Sequence, residues 1–155
     1  MILHVNTFQV LDCYTLGCEM GFFDNKTATV FNRIVDPETG AVTYLPTALE
    51  DIDFVVKRSK TATADGQKDA DAATLFVDSI ENFRKPKEWE ALPEEERQQY
   101  FTFRPQMDFF VSGDLKEEYG GQSYEEMRAL HDDCYMITGV DYFEDILPHI
   151  EVGGR

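Results

Sequence analysis

The sequence has few basic residues and no long apolar run. Its 155 residues include 14 Lys and Arg against 30 Asp and Glu, which gives a formal net charge of −16. A chain this negative repels phosphate backbones and anionic lipids, so we expect neither nucleic acid nor a membrane surface as a direct partner. No apolar stretch approaches the roughly 18 residues that a membrane-spanning helix needs. The first residues also lack the basic and apolar regions of a secretory signal peptide.

Cysteine is scarce and odd in number, with Cys13, Cys18 and Cys134. This favours reduced thiols and a cytoplasmic protein, placed in a host cytoplasm or a virion if the protein is viral. The three cysteines and His131 are a ligand set that zinc accepts, but the spacing of the first two is loose for a zinc site. Cys134 also falls in the apolar register of a predicted helix. We therefore predict three reduced cysteines, no metal and no cofactor.

Recognisable catalytic motifs are missing as well. The sequence contains no phosphate-binding glycine loop, no G-x-S-x-G elbow, no H-E-x-x-H pair and no calcium-binding loop. These absences favour a non-enzymatic protein. The enzyme alternative is His131 acting as a general acid or base beside Glu125, Glu126, Asp132 and Asp133. The competing interpretation is a solvated helix face, because thirty acids place carboxylates near any histidine by chance.

What the sequence does contain is an apolar fraction of 43%, enough for one hydrophobic core. We predict a single α+β domain over residues 1–155, with a small antiparallel sheet packed against three to four helices in the C-terminal two-thirds. The sheet includes a hairpin near residues 28–45, where two β-prone runs flank Asp-Pro-Glu-Thr-Gly and Gly40 is expected to have a positive φ. Further strands are expected over residues 2–11 and around 107–111.

Helices are predicted from apolar spacing and from capping residues. Residues 71–83 carry apolar side chains at i, i+4, i+8 and i+11, and Pro93 followed by three glutamates starts a second helix. Ser123 begins a third helix with a capping box, and this helix is expected to continue through Cys134 to Gly139.

Two shorter features complete the prediction of secondary structure. A short helix is expected over residues 142–147, ended by Pro148. The small and polar residues 59–71 are expected to form a flexible loop.

Acidity is concentrated in the last third of the chain. Residues 101–155 hold twelve acids and four bases, which is half of the net charge. Carboxylates on successive helical turns lie about 5–6 Å apart, a spacing comparable with that of phosphates along a nucleic-acid strand. Tyrosines among them offer apolar anchors of the kind that interfaces favour. The predicted partner-binding residues are Glu117, Glu118, Tyr124, Glu125, Glu126, Asp132, Asp133, Asp141, Tyr142, Glu144 and Asp145.

The leading hypothesis is a non-enzymatic acidic binding protein whose partner is a basic protein surface. One such surface is the nucleic-acid-binding groove of a DNA- or RNA-binding enzyme, which antirestriction and anti-CRISPR inhibitors occupy as nucleic-acid mimics. The alternative is a structural or assembly subunit, such as a phage virion protein, that docks through apolar surface into a homo-oligomer or larger assembly.

Overall fold

The computed structural model describes residues 26–155 except residues 59, 65, 70 and 79, so the strand predicted over 2–11 and two of the cysteines, Cys13 and Cys18, lie outside the described residues. The strands are β1 (Lys26–Val35), β2 (Val42–Lys57), β3 (Lys60–Thr63), β4 (Gly66–Asp69), β5 (Ala72–Val77), β6 (Phe109–Ser112), β7 (Cys134–Phe143) and β8 (His149–Gly154). The helices of this part of the chain are α1 (Pro86–Ala91), α2 (Glu94–Arg97) and α3 (Tyr124–Leu130).

Six of the strands close into an antiparallel barrel in the order β1-β2-β5-β8-β7-β6, and β3 pairs with β4 in a separate two-stranded sheet. The prediction of an α+β fold, with a small sheet packed against three to four helices, is therefore wrong, since the helices of the described chain are three and short. The larger buried cluster lies inside the closed sheet, and a helix covers buried residues only on the outer face of β1 and β6. The segment 59–71, expected as a loop, contains β3 and β4.

The helix predicted over residues 71–83 is the clearest error, since its first half is strand β5. Ala73, Leu75 and Val77 are buried in strict alternation with half-buried neighbours, which is the period of a strand. β5 pairs with β2 on one side and with β8 on the other, more than 70 residues further along the chain. The i, i+4 spacing of apolar residues arose here from a short run that fits both periods.

The last third also has less helix than predicted. The helix that begins at Ser123 does so with the expected capping box, but it ends at Leu130. Cys134 starts β7 instead of lying on that helix, and Gly139 lies at a register shift between β7 and β8 instead of stopping a helix. The predicted helix over residues 142–147 is wrong as well, because β7 continues to Phe143.

Several local predictions are confirmed. β1 and β2 form the hairpin over residues 28–45, and Gly40 has φ 72°. The turn is held by Asp36, whose Oδ1 accepts the backbone N–H of Glu38 at 2.8 Å and whose backbone carbonyl accepts that of Gly40 at 2.8 Å. α2 begins after Pro93, and β6 lies where a strand was expected near residues 107–111.

The barrel interior is filled by side chains. Val30, Leu75, Phe103, Ile137 and Val152 belong to one buried cluster inside the sheet. The C-terminal end of β8 is packed as tightly, since a Cβ on Gly154 would lie 2.8 Å from the ring of Phe110. A second cluster lies on the outer face of β1 and β6, where α3 and the preceding loop cover Phe31 and Phe109.

A buried ion pair fixes the chain beside the β1–β2 hairpin. Asp108 is fully buried, and its carboxylate accepts hydrogen bonds from the Arg104 guanidinium at 2.9 and 3.0 Å. The same carboxylate accepts the backbone N–H of Arg33 at 2.9 Å, while Arg104 donates to the Arg33 carbonyl. Burial lowers the pKa of Arg104, but its bonds to Asp108 and Glu90 outweigh this and raise it overall. The guanidinium also lies over the ring of the buried Trp89 of α1, 4.8 Å from its centroid.

Candidate interaction site

The turn between β7 and β8 carries apolar side chains into solvent. β1 and β7 both pair antiparallel with β6, so they run in the same direction along the barrel. The turn that follows β7 and the turn that follows β1 therefore lie at the same end of the barrel. Ile146 is 88% exposed, Leu147 70% and Phe143 45%. We call residues Asp141–Pro148 the hairpin tip. Five of the nine large apolar side chains that are exposed in the described part of the chain belong to this tip or to the adjacent Ile80.

The base of the hairpin tip is ordered by His149. Its ring stacks on Phe143 with centroids 4.6 Å apart and an interplanar angle of 5°. Nδ1 lies 2.8 Å from the Leu147 carbonyl oxygen, and Nε2 lies 3.2 Å from the Glu151 carboxylate. The bond to the Leu147 carbonyl and then the bond to Glu151 raise the pKa of His149. Both ring nitrogens face acceptors, so the arrangement is best satisfied by the doubly protonated ring.

A mostly apolar groove of about 430 Å³ runs beside the hairpin tip. Its walls include Ile80, Phe83 and Tyr142. Lys85 stands at its rim, with Nζ 3.4 Å from Glu144 and 5.9 Å from the centroid of the Tyr142 ring. The tip and the groove thus form one surface with projecting aliphatic side chains and a hollow next to them.

The predicted acidic residues divide into two groups and do not form a single face. Asp132 and Asp133 directly precede β7, whereas Glu144 and Asp145 directly follow it. Ten strand residues span about 33 Å, so these carboxylates lie far apart. The first group consists of Glu117, Glu118, Glu125, Glu126, Asp132 and Asp133, which we call the α3 patch. The second group, Asp141, Glu144 and Asp145, is part of the hairpin tip.

Within the α3 patch, two carboxylates already have intramolecular partners. Glu126 accepts the backbone N–H of Ser123 at 2.8 Å as half of the capping box. Asp133 lies 3.5 Å from the Arg58 guanidinium and accepts the hydroxyl of Tyr135 at 3.1 Å. Burial, and then the bond to Asp133, raises the pKa of Tyr135 to about 12. The other four carboxylates of the patch are exposed.

The two predicted tyrosine anchors differ in their surroundings. Tyr124 is half-buried, and its ring centroid lies 5.2 Å from that of Phe109 in the outer cluster. Tyr142 is exposed at the hairpin tip and lines the groove. Tyr142 is therefore the anchor that stands next to free apolar surface.

His131, Asp132 and Cys134 line a shared hollow, but its cysteine is not a reactive thiolate. Cys134 is buried and free, and burial raises its pKa to about 12, so it is a neutral thiol at physiological pH. His131 is the C-cap of α3 and is half-buried. Among the residues that the structure describes, no three His, Cys, Asp or Glu side chains are grouped so that they could hold a metal ion.

The apolar residues of the hairpin tip were not identified from the sequence. Phe143, Ile146 and Leu147 fall in a segment predicted as a short helix, where such residues would face the core. The signal that was available is Pro148 after two aliphatic residues and two acids, a composition more typical of an exposed turn than of a helix end.

The fold and this surface define a small closed barrel of six antiparallel strands with an apolar, acid-flanked hairpin tip. The chain belongs to the family of unknown function DUF6751, whose model matches residues 23–155. No curated protein and no solved structure matches the chain. Among the described residues, no helix is both long and apolar enough to cross a membrane.

Proposed function

We propose that the protein is a non-enzymatic binding subunit that docks onto another protein through the hairpin tip. The observation that carries this proposal is the exposure of Ile146 and Leu147 at the end of the β7–β8 hairpin. Burying an aliphatic side chain of this size contributes about 1.5–3 kcal/mol, so the pair supplies an anchor for binding. Apolar patches bordered by polar residues are typical of protein interaction sites.

The backbone of Leu147 supports the same conclusion. Its φ is 58°, in the left-handed region that Gly or Asn adopts at lower cost than Leu. A leucine that is strained and largely exposed stabilises neither the turn nor the core. Strain of this kind concentrates at functional sites.

The charges around the tip indicate the chemistry of the partner. Asp141, Glu144 and Asp145 precede the aliphatic pair in the hairpin tip, and Lys85, the lysine of the groove, already pairs with Glu144. A second copy of this chain would bring the same carboxylates together, which is unfavourable. The partner we propose is therefore a different protein with an apolar cleft rimmed by Lys or Arg, encountered in the cytoplasm.

The test compares two hairpins of the same end of the barrel. In the first variant, Ile146→Gln is combined with Leu147→Asn, because Asn tolerates a positive φ. In the matched control, Val35→Gln is combined with Val42→Gln, which removes two exposed apolar side chains from the β1–β2 hairpin. The wild-type chain and both variants are immobilised and used to capture partners from lysate of the source cell. Captured proteins are quantified by mass spectrometry, and thermal melts monitor folding.

We expect the tip variant to lose a specific partner that the wild type and the control retain, with unchanged melting temperatures. Purified partner should then bind with an affinity that falls as salt rises, since charges flank the anchor. Equal capture by the tip variant and wild type would contradict the proposal. If the wild type sediments as a dimer and the tip variant sediments as a monomer, the partner at the hairpin tip is a second copy of the chain instead.

A second candidate is binding of a basic groove by the α3 patch, as a nucleic-acid mimic would do. The observation in its favour is that residues 113–133 hold seven acids and two bases, and four of the carboxylates in the patch are exposed. A third variant in the same capture experiment combines Glu117→Lys, Glu125→Lys and Asp132→Lys. Loss of capture in this variant alone would favour mimicry, and loss in the tip variant alone would favour docking through the hairpin.

A further inference from the structure

Strand β2 is longer than its neighbours, and part of one of its edges is unpaired among the residues that the structure describes. Its residues from Val42 to Ile52 pair with β1, and those from Asp53 to Lys57 pair with β5. β5 ends at Val77, so no strand of the described chain pairs with the β5 side of β2 between Thr47 and Ile52. β2 has a bulge at the point where its pairing with β1 ends and its pairing with β5 begins. In this bulge, two residues of β2, Glu50 and Asp51, lie opposite the single residue Thr27 of β1, and Asp51 has φ 53°.

A groove of about 500 Å³ follows this open edge. Thr47–Ile52 form one wall, and the amide side chains of Asn82, Gln98 and Gln99 are on other parts of its lining. A strand edge and amide side chains both offer donors and acceptors, which match the alternating N–H and C=O groups of an extended peptide. Six strand residues span about 20 Å, the length of five to six extended residues. The groove is polar and open, unlike the enclosed apolar sites that hold small molecules.

The position of Pro46 indicates where pairing can occur. Proline has no N–H, so in a strand its nitrogen is placed on the side that faces away from the neighbouring strand. Pro46 pairs with Phe31 of β1, and its nitrogen therefore faces the open edge. Backbone groups alternate sides, so the N–H of Ala48 faces the same edge and is available to an incoming strand. Pro46 prevents the pairing from extending further toward Val42.

Charge decides which extended segment fits. Glu50, Asp51 and Glu81 line the groove, and Lys116 is the one basic residue among the lining side chains that the structure describes. An incoming segment with Lys or Arg on one face is complementary, and an acidic one is repelled. We propose that the open edge of β2 between Thr47 and Ile52 binds an extended basic peptide segment of a partner protein as an added strand.

The test uses synthetic peptides as probes on the full chain. The probes are an acetylated and amidated hexapeptide of alternating Lys and Val, its Glu-Val counterpart, and a Lys-Val peptide N-methylated at alternate residues. Binding is followed by NMR titration, and amide hydrogen exchange of residues 47–52 is measured with and without peptide. We expect the Lys-Val peptide to bind and to slow exchange at Ala48 and Glu50, while the other two probes bind at least tenfold more weakly.

Variants of the protein sharpen the result. Glu50→Lys combined with Glu81→Lys should weaken binding of the Lys-Val peptide at least tenfold. The control Glu38→Lys lies in the exposed β1–β2 turn, before β2 starts at Val42 and away from Thr47–Ile52, and should change binding less than twofold. Ala48→Pro should abolish binding, because it removes the N–H that faces the incoming peptide. This N–H makes no hydrogen bond to β1, so the pairing of β1 with β2 is retained. Equal binding of the N-methylated peptide, or no protection of residues 47–52, would overturn the proposal even if Ala48→Pro failed to fold.

Discussion

Two hairpin turns at the same end of the barrel are built on opposite principles. In the β1–β2 turn, Asp36 and Gly40 satisfy the backbone with local hydrogen bonds, and the turn residues are polar. In the β7–β8 turn, a strained Leu147 and the neighbouring Ile146 project into solvent. The first turn consists of residues that stabilise a turn. The second contains a strained backbone and exposed apolar side chains, neither of which stabilises a turn. This difference favours the β7–β8 turn as the one that takes part in binding.

The supports beneath the two turns also differ. The β1–β2 hairpin rests on the buried Asp108, which accepts the backbone N–H of Arg33. The β7–β8 hairpin has strand pairing and the contacts of His149. Substitutions of the residues that hold the first hairpin, Asp108 and Gly40, should therefore act on the free energy of unfolding, and substitutions at the tip of the second should act mainly on binding.

The largest effect is expected for Asp108→Ala. It leaves the Arg104 guanidinium buried with only the half-exposed Glu90 as a charged partner, and loss of one member of a buried pair costs about 3–5 kcal/mol. Urea unfolding followed by circular dichroism measures the change. The control Glu90→Ala removes the exposed partner of the same guanidinium and should cost less than about 1 kcal/mol. Equal losses in the two variants would show that Asp108 is not the support of the hairpin.

How far sequence predicts this molecule also differs between regions. The β1–β2 hairpin, the N-cap at Ser123 and the start of α2 after Pro93 depend on neighbours within a few residues, and the sequence predicted them. β5 and β8 pair Ala73 with Gly154, and a single sequence contains no signal for a contact at that separation. The barrel is therefore not predictable from the sequence, and the spacing of apolar residues in β5 indicates a helix that the structure does not have.

The candidate site was predicted in part. Charge and aromatic character indicate Asp141, Tyr142, Glu144 and Asp145, and all four lie at the hairpin tip. Ile146 carries no such signal, because the sequence does not show whether an aliphatic residue faces a core or solvent. The division of the acids into two groups was also not predictable, since it follows from the length of β7.

An intermediate effect on the free energy of unfolding is expected for substitutions of the positive-φ residue of each turn, Gly40 and Leu147. Gly40→Val places a β-branched residue at φ 72° and should destabilise the protein by about 1–2 kcal/mol. Leu147→Gly relieves strain at φ 58° while increasing the freedom of the unfolded chain, so its effect should stay below about 1 kcal/mol. Urea unfolding of both variants tests this contrast. If Leu147→Gly costs as much as Gly40→Val, the leucine side chain stabilises the fold and its role in binding is in doubt.

The smallest effect is an opposite pH dependence of the two turns. Backbone hydrogen bonds from Glu38 and Thr39 lower the pKa of Asp36, so its stabilisation is present above about pH 4, the unfolded value, and is lost as pH falls through the folded pKa. The Leu147 carbonyl and Glu151 raise the pKa of His149. Its stabilisation is therefore complete below about pH 6.5, the unfolded value, and is lost as pH rises through the folded pKa.

NMR titration of the His149 ring should give a midpoint above that of the exposed imidazole, and the amide signals of residues 146–148 should shift with the same midpoint. Urea unfolding of His149→Gln, compared with wild type at each pH, isolates this contribution from the many carboxylates. The difference should shrink as pH rises above about 6.5, whereas for Asp36→Asn it should shrink only as pH falls below about 4. A constant difference for His149→Gln would mean that protonation does not tighten the hairpin tip. The affinity of a partner that binds through Leu147 would then not depend on the protonation of His149.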